Sequence, residues 1–473
     1  MSHTTIHASG APRLAEGFER IRDELRLPEA FPPPTLEEAA QAAATPAPSL
    51  PDRTDLPLLT VDPAGSMDLD QALCIEERPR GFRVWYAIAD VASFVRPGGA
   101  IDDEARRRGE TLYMPDERVP LHPPVLSEGA ASLLPGVVRP AALWCLDLDS
   151  DGRTIGADVS RALVRSRERL DYDYVQAAVD TGTADGTLRL LPVVGGLRLA
   201  LEQERGGVSL PTPEQEVVAH GDGYRVEFRT PLPAETWNAQ ISLMTGMAAA
   251  AMMLDAEMGV LRTLPPAPPE TVARVRRIAS ALGVAWPDGA GFGQAVAALD
   301  PGTPGSAAFL KEATVLLRGA GYTAFNGEPP KDASHAAVAA PYAHVTAPLR
   351  RLVDRYGTEV CLSVAAGVPV PEPVQQALSE LPALMAGSGR RASAAERACV
   401  DLVEAFVLRD RVGQTFDAVV VDVEDGRPGG VVQVADPAVV ARCDGDGLPL
   451  GEKVQVRLTR ADLLTREVRF TLA

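Results

Sequence analysis

The run Asp62-Pro-Ala-Gly-Ser-Met-Asp68-Leu-Asp70-Gln71-Ala72 constrains this 473-residue chain more than any other segment. It follows the apolar, β-prone residues Leu58-Leu59-Thr60-Val61 and sets three carboxylates within nine positions. Carboxylates this crowded repel one another and raise one another's pKa values, whereas magnesium or manganese bound through hard oxygen ligands turns the repulsion into attraction. Asp68 and Asp70, two residues apart, share one face of an extended segment. Pro63, Gly65 and Ser66 suggest a turn that returns Asp62 across them. On these residues alone, a solvated turn or a calcium loop competes with a catalytic metal centre.

The chain is long enough to bury a large core, which favours one large domain with small appendages. Hydrophobic residues at 46% and charged ones at 23% are near globular averages, so intrinsic disorder is excluded; 41 prolines and 41 glycines point to many loops. A formal charge of −18 argues against a broad basic surface, so any nucleic-acid site must be a local basic channel. Cys74, Cys145, Cys361, Cys399 and Cys443 are scattered without CxxC spacing, which reads as reduced thiols in the cytoplasm. Residues 1–12 carry no apolar core of a signal peptide, and the most membrane-like stretch, Ile241 to Leu254, fits a buried helix better than a span. No membrane partner is expected.

Leu14, Phe18, Ile21 and Leu25 have helical spacing, and Pro32-Pro33-Pro34 breaks the pattern before a second short helix after Thr35. Residues 1–50 thus read as a helical element, possible kin to a helix-turn-helix, with a linker from Ala43 to Pro57. Phe82 to Val95 alternates as strands do. Strand-like and helix-like pieces then intermix to about Arg411, giving an α+β catalytic domain over 51–411. Residues 412–473 change character: Asp417 to Val423, Gly430 to Val434 and Lys453 to Leu458 are short strands between Gly, Asp and Pro turns, the pattern of a small OB-fold barrel.

Four islands in order along the chain resemble the ribonuclease II (RNB) family of exoribonucleases. The segment Thr60 to Leu73 is similar to its aspartate signature ending D-x-D-D-A, and Arg108-Gly-Glu-Thr-Leu-Tyr113-Met-Pro to its RGxSxYxP run. Tyr342-Ala-His344-Val-Thr-Ala-Pro348-Leu-Arg350-Arg351 resembles YTHFTSPIRR, and Ala395-Glu396-Arg397 an AER element. The resemblance implies magnesium-dependent, processive 3′ to 5′ hydrolysis of single-stranded RNA to nucleoside 5′-monophosphates, by a monomer that spares DNA. It further implies metal ligation by Asp62, Asp68, Asp70 and the Gln71 position, and a phosphate grip by Arg350 with Arg351 beside it. Tyr172 would pack on the 3′-terminal nucleotide, Tyr113 would stack on RNA further up the channel, and Glu396 would lie near the catalytic centre. His335 and His344 read as structural, and Arg161, Arg165, Arg167 and Arg169 as either a channel wall or a solvated face.

The sequence also departs from the family. Gln71 stands where a second consecutive aspartate is usual, offering a carbonyl but no charge, so metal binding should weaken. Leu210 replaces a stacking phenylalanine, and stacking is worth about 1–3 kcal/mol per base. Ile241-Ser242-Leu243 replaces an IEE motif. About sixty residues precede the signature, too few for two cold-shock barrels, so a modest upstream grip and stalling at stable duplexes are expected. Two other readings stay open: an RNA 3′-end-binding protein of the same fold weakened in catalysis, and a nucleotide-sugar transferase with Asp68-Leu69-Asp70 as its metal pair.

Overall fold

The computed structural model describes residues 12–28, 30–209, 214–220, 223–229, 231–287, 289–299, 303–423 and 428–473. Its centre is a closed barrel. Strands β1 (Leu58–Asp62), β2 (Gln71–Arg78) and β3 (Gly81–Ala89) are followed by a short hairpin, β4 (Leu112–Tyr113) and β5 (Arg118–Val119), and then by β6 (Val138–Asp149) and β7 (Thr154–Asp171). The barrel order is β1-β2-β3-β6-β7, closed by a parallel β1–β7 pairing. Between β2 and β3 the chain reverses at Pro79-Arg80, with Arg78 opposite Gly81. A Cβ on Gly81, whose φ is 143°, would meet the Leu148 carbonyl at 2.1 Å, so only glycine fits.

Both faces of this sheet are covered, which explains why its strands show little polar alternation. Leu73 and Ile75, Val84, Tyr86 and Ile88, and Ala142, Trp144 and Leu146 join one buried cluster. The intervening Ala72, Cys74, Ala87, Ala89, Ala141 and Leu143 join another. Period-two side chains therefore divide between two cores instead of between core and water.

The first cluster includes the helix Pro233–Asp255, whose Ile241, Met244, Ala249, Ala250 and Met253 are buried. The Ile241 to Leu254 stretch is thus core, and no helix among the described residues is long and apolar enough to cross a membrane. The five cysteines are free.

The expected C-terminal barrel is present. Thr415–Val423, Gly430–Val434, Val439–Asp444, Lys453–Asp462 and Glu467–Leu472 close around Phe416, Val420, Val432, Val456 and Phe470. It is fastened to the rest of the molecule by the long helix Leu381–Leu408, whose Ala405 and Leu408 enter the barrel core and whose Glu404 accepts the Val440 N–H at 2.9 Å. Mixed helix and strand with an appended barrel is the α+β architecture the sequence implied.

At the N-terminus the helix Pro12–Leu25 sets Leu14, Phe18 and Ile21 against Leu402, Val403 and Phe406 of the long helix. A second helix, Pro33–Ala44, places Ala39 in the core with Ile101 and Leu126. The two serve separate cores, unlike a self-contained helix-turn-helix. The second helix also begins at Pro33, earlier than the expected start after Thr35, because proline is tolerated in a first turn whose N–H groups have no helical partner. Phe82 to Val95 holds one strand only, ending at Ala89, with a tight turn at Val91–Ser93.

Candidate active site

β1 ends at Asp62, and its parallel register with β7 aligns Asp62 with Asp171. Asp171 then caps the helix Tyr172–Asp180, accepting the Tyr174 N–H at 2.8 Å, so Tyr172 emerges beside Asp62. The loop from Pro63 to Asp70 returns to β2 around Leu69, which is fully buried. Its N–H reaches the Ser132 hydroxyl at 3.0 Å and its carbonyl accepts the Leu133 N–H at 3.0 Å. With Leu69 anchored inward, Asp68 and Asp70 on either side both act electrostatically on the Tyr113 hydroxyl.

The three carboxylates have different partners. Asp68 accepts Arg118 at 2.6 Å on Oδ1 and the Tyr113 hydroxyl at 3.0 Å on Oδ2, while Arg118 also holds Glu128 at 2.8 Å. Asp70, only 3% exposed, accepts the Leu349 N–H at 2.7 Å on Oδ1 and faces Arg350 Nε at 3.4 Å with Oδ2. Burial pushes Asp70 well above the usual carboxylate range against the pull of Arg350 and that N–H. Asp62 Oδ2 is buried and has no hydrogen-bond partner among the described residues. Burial raises its pKa to about 7; Arg350 and Arg169 oppose the shift and Asp68 adds to it.

Arg350 follows the buried turn Ala347-Pro348-Leu349 and lies within the fields of Asp70, Tyr113 and Asp62. Tyr172 has its phenol pushed up to about 12, first by burial and then by Asp62. Its hydroxyl accepts the Asn238 amide at 3.3 Å, and the same amide nitrogen reaches the Val61 carbonyl at 3.3 Å. Asn238 therefore ties Tyr172 to the strand end that carries Asp62.

Gln71, the first residue of β2, is bonded at both ends of its amide. Nε2 donates to the Thr346 carbonyl at 2.6 Å, and Oε1 accepts the Tyr86 hydroxyl at 2.7 Å. Tyr86 is fully buried and its hydroxyl also lies 2.7 Å from Ser242 Oγ.

The structure thus assembles Asp62, Asp68, Asp70, Tyr113, Tyr172 and Arg350 at one end of the barrel. Arg351 is placed differently: it is 8% exposed and forms a bidentate pair with Asp354 at 2.8 and 2.7 Å, so its guanidinium fastens the first turn of the helix Leu352–Ala366. Glu396 is exposed on the long helix, within the field of Cys399 in the Phe18 and Leu402 cluster, a different core from that beneath the carboxylates. Leu210 lies outside the described residues. In the arginine series, Arg161 pairs with Asp90 at 2.8 Å and with Glu359, at a separate 540 Å³ cavity. Arg169 instead reaches the Ser66 carbonyl at 3.1 Å inside the aspartate loop. Half-buried His344 shares a hydrogen bond at Nδ1 with the Tyr322 hydroxyl at 2.7 Å, in keeping with a structural role.

Arg118, Tyr86 and Asn238 were not singled out from sequence. Arg118 had a signal, since Met114-Pro115-Asp116-Glu117 is a turn that sets Tyr113 opposite Arg118. Tyr86 and Asn238 had none, because each reads as ordinary strand or helix core.

Among the described residues no three His, Cys, Asp or Glu side chains stand close enough to enclose an ion. The donor set nonetheless suits a hard cation: Asp62 Oδ2 is buried with no hydrogen-bond partner among the described residues, and Asp62 and Asp70 both lie in the field of Arg350.

Residues 51–359 match the RNB domain, and residues 414–473 match the RNase II-type exonuclease C-terminal S1 domain. Ribonuclease R of Escherichia coli (strain K12) is 26% identical over 480 residues, covering 89% of this chain and 57% of the relative, so the chain spans little more than half of that protein's length. Mycoplasma genitalium RNase R, solved with ribose-methylated single-stranded RNA, superposes with a TM-score of 0.87 at 18% identity, over 98% of this chain and 78% of that one. Yeast Ssd1, described as a pseudonuclease, superposes at 0.70 and 18% identity, over 86% of this chain and 51% of that one. With a barrel strand that ends in the aspartate loop, a half-buried Arg350 facing it, and a matched span covering more than half its length, the chain belongs to the RNB domain family, with an RNase II-type S1 barrel at its C-terminus.

Proposed function

We propose that this protein is a divalent-metal-dependent exoribonuclease that hydrolyses single-stranded RNA processively from its 3′ end to nucleoside 5′-monophosphates. The observation that carries the reading is the meeting of Asp62 and Asp70 in the field of Arg350, in a half-buried site flanked by Tyr172 and Tyr113. Asp62 and Asp70, with Asp68 beside them, would hold magnesium, or manganese in its place, and the ion would supply Lewis-acid stabilisation of charge on the scissile phosphate.

The side chains divide the remaining work. Arg350 grips the non-bridging phosphate oxygens in a water-poor site, where a fixed guanidinium offsets developing charge more effectively than solvent does. Tyr172, steadied by Asn238, packs against the 3′-terminal nucleotide and orients its linkage toward Asp62. Tyr113, bonded to Asp68, presents its ring to the nucleotides behind it. The Arg118 pairing holds Asp68 in place before substrate arrives. The S1 barrel supplies a second RNA contact along the strand.

A 5′-labelled unstructured RNA oligomer, incubated with and without magnesium beside a DNA control, tests the reading. Disappearance of full-length RNA to a short limit product with few intermediates, only with metal and only for RNA, is the expected result. The neutral Gln71 and the likeness to the pseudonuclease Ssd1 favour one competing reading, a 3′-end-binding protein of the same fold. Intact RNA held in a stable complex would select it.

A further inference from the structure

The side chains around the aspartate loop leave few oxygens for metal. Both oxygens of Asp68 are engaged, by Arg118 at 2.6 Å and Tyr113 at 3.0 Å. Asp70 Oδ1 is bonded to the Leu349 N–H at 2.7 Å. What remains is Asp62, whose Oδ2 has no hydrogen-bond partner among the described residues, and Asp70 Oδ2, which faces Arg350 at 3.4 Å. Gln71 cannot turn toward them without breaking its bonds to the Thr346 carbonyl at 2.6 Å and the Tyr86 hydroxyl at 2.7 Å.

These bonds belong to one neutral relay: Thr346 carbonyl, Gln71 amide, Tyr86 hydroxyl and Ser242 hydroxyl, each within 2.7 Å of the next. Tyr86 is fully buried in the barrel core, so if Gln71 moved, the Tyr86 hydroxyl would lose its acceptor and keep only Ser242. The relay also borders the centre itself, since Tyr86 lies within the fields of Tyr172, Asp62 and Arg350. On this flank the centre therefore presents neutral, already bonded groups. Two dications a few ångströms apart repel with four times the energy of two unit charges, which only bridging anionic oxygens offset. Magnesium ordinarily takes one or two carboxylates and completes its shell with water and substrate phosphate. That is the supply available here.

We infer that this centre holds one divalent cation per chain, on Asp62 and Asp70 with the substrate phosphate. Gln71 is a positioning residue locked by Tyr86 and Ser242, and it is not a metal ligand. Arg350 stands opposite as the second positive charge on the phosphate. The inference rests on the metal-dependent reading above and adds the ion count and the reason for it.

The test is electron paramagnetic resonance of manganese titrated into the full chain with a 2′-O-methylated, uncleaved RNA oligomer. One saturable ion per chain, with a spectrum free of manganese–manganese coupling, is expected. Two coupled ions overturn the inference while leaving metal dependence intact, and no saturable ion removes both. Gln71→Asp should admit a second, coupled ion. If that variant melts cooperatively and still binds one ion, Gln71 is not what limits the count and the inference fails. Should Gln71→Asp not fold, the count on the unaltered chain decides.

Discussion

Asp62 is a carboxylate whose burial works against the folded state whenever it is ionised, and replacing it with asparagine tests the electrostatics of the whole site. Its pKa stands at about 7 in the fold against an ordinary value of 3.8. A group raised in this way contributes its stability below the unfolded pKa and loses it as pH rises through the folded one. Between pH 4 and pH 7 the metal-free protein should therefore lose about 4 kcal/mol through this residue, since one pKa unit is worth about 1.4 kcal/mol. Asp62→Asn keeps the shape and removes the charge. Urea unfolding in a chelator should show the variant more stable than the parent at pH 8. The gain should shrink by about 2–3 kcal/mol at pH 5, where the parent is already protonated in the fold. Saturating magnesium should stabilise the parent at pH 8 and leave the variant unmoved. An Asp62→Asn protein equally stable relative to the parent at both pH values would refute the argument that burial of this carboxylate strains the site.

Three further outcomes follow from other parts of the structure. Glu312 is pushed to about 7 by burial and then by Asp422, at the contact between the helix Pro304–Ala313 and the first strand of the S1 barrel. Stability there should fall as pH rises from 5 to 8, and Glu312→Gln should flatten that part of the thermal-melt profile; an unchanged profile would remove Glu312 as its source. Phe470 is fully buried with Phe416 edge-on at 5.9 Å, so Phe470→Ala should cost about 3–5 kcal/mol and weaken binding of long RNA more than cleavage of short oligomers. Gly246 accepts the Ala343 N–H at 3.0 Å, and a Cβ there would lie 2.2 Å from the Tyr342 ring. Gly246→Ala should destabilise by about 1–3 kcal/mol and slow cleavage by displacing the segment that leads to Arg350, as melts and single-turnover rates would show.

Several features of the site were legible in the chain because they depend on local chemistry. Crowded carboxylates after a β-prone run announced a strand end, and β1 does end at Asp62. Turn residues between short apolar runs announced the C-terminal barrel. The fates of Arg350 and Arg351 were not legible, because neighbouring arginines look alike until the following helix supplies Asp354 to one and the aspartate loop supplies Asp70 to the other. Glu396 shows the same limit: its segment matches a motif, yet its position on the long helix exposes it.

The sequence by itself determined the ingredients: which segments bear strands, where acids and tyrosines stand along the chain, and that position 71 carries no charge. Tertiary structure decided their partners. A parallel β1–β7 pairing set Tyr172 beside Asp62, burial raised Asp62 and Asp70, and Tyr86, a residue any core strand might contain, fixed what Gln71 does. Hydrogen bonds and desolvation are properties of neighbourhoods, and residues 71, 86, 242 and 346 become neighbours only when the barrel closes.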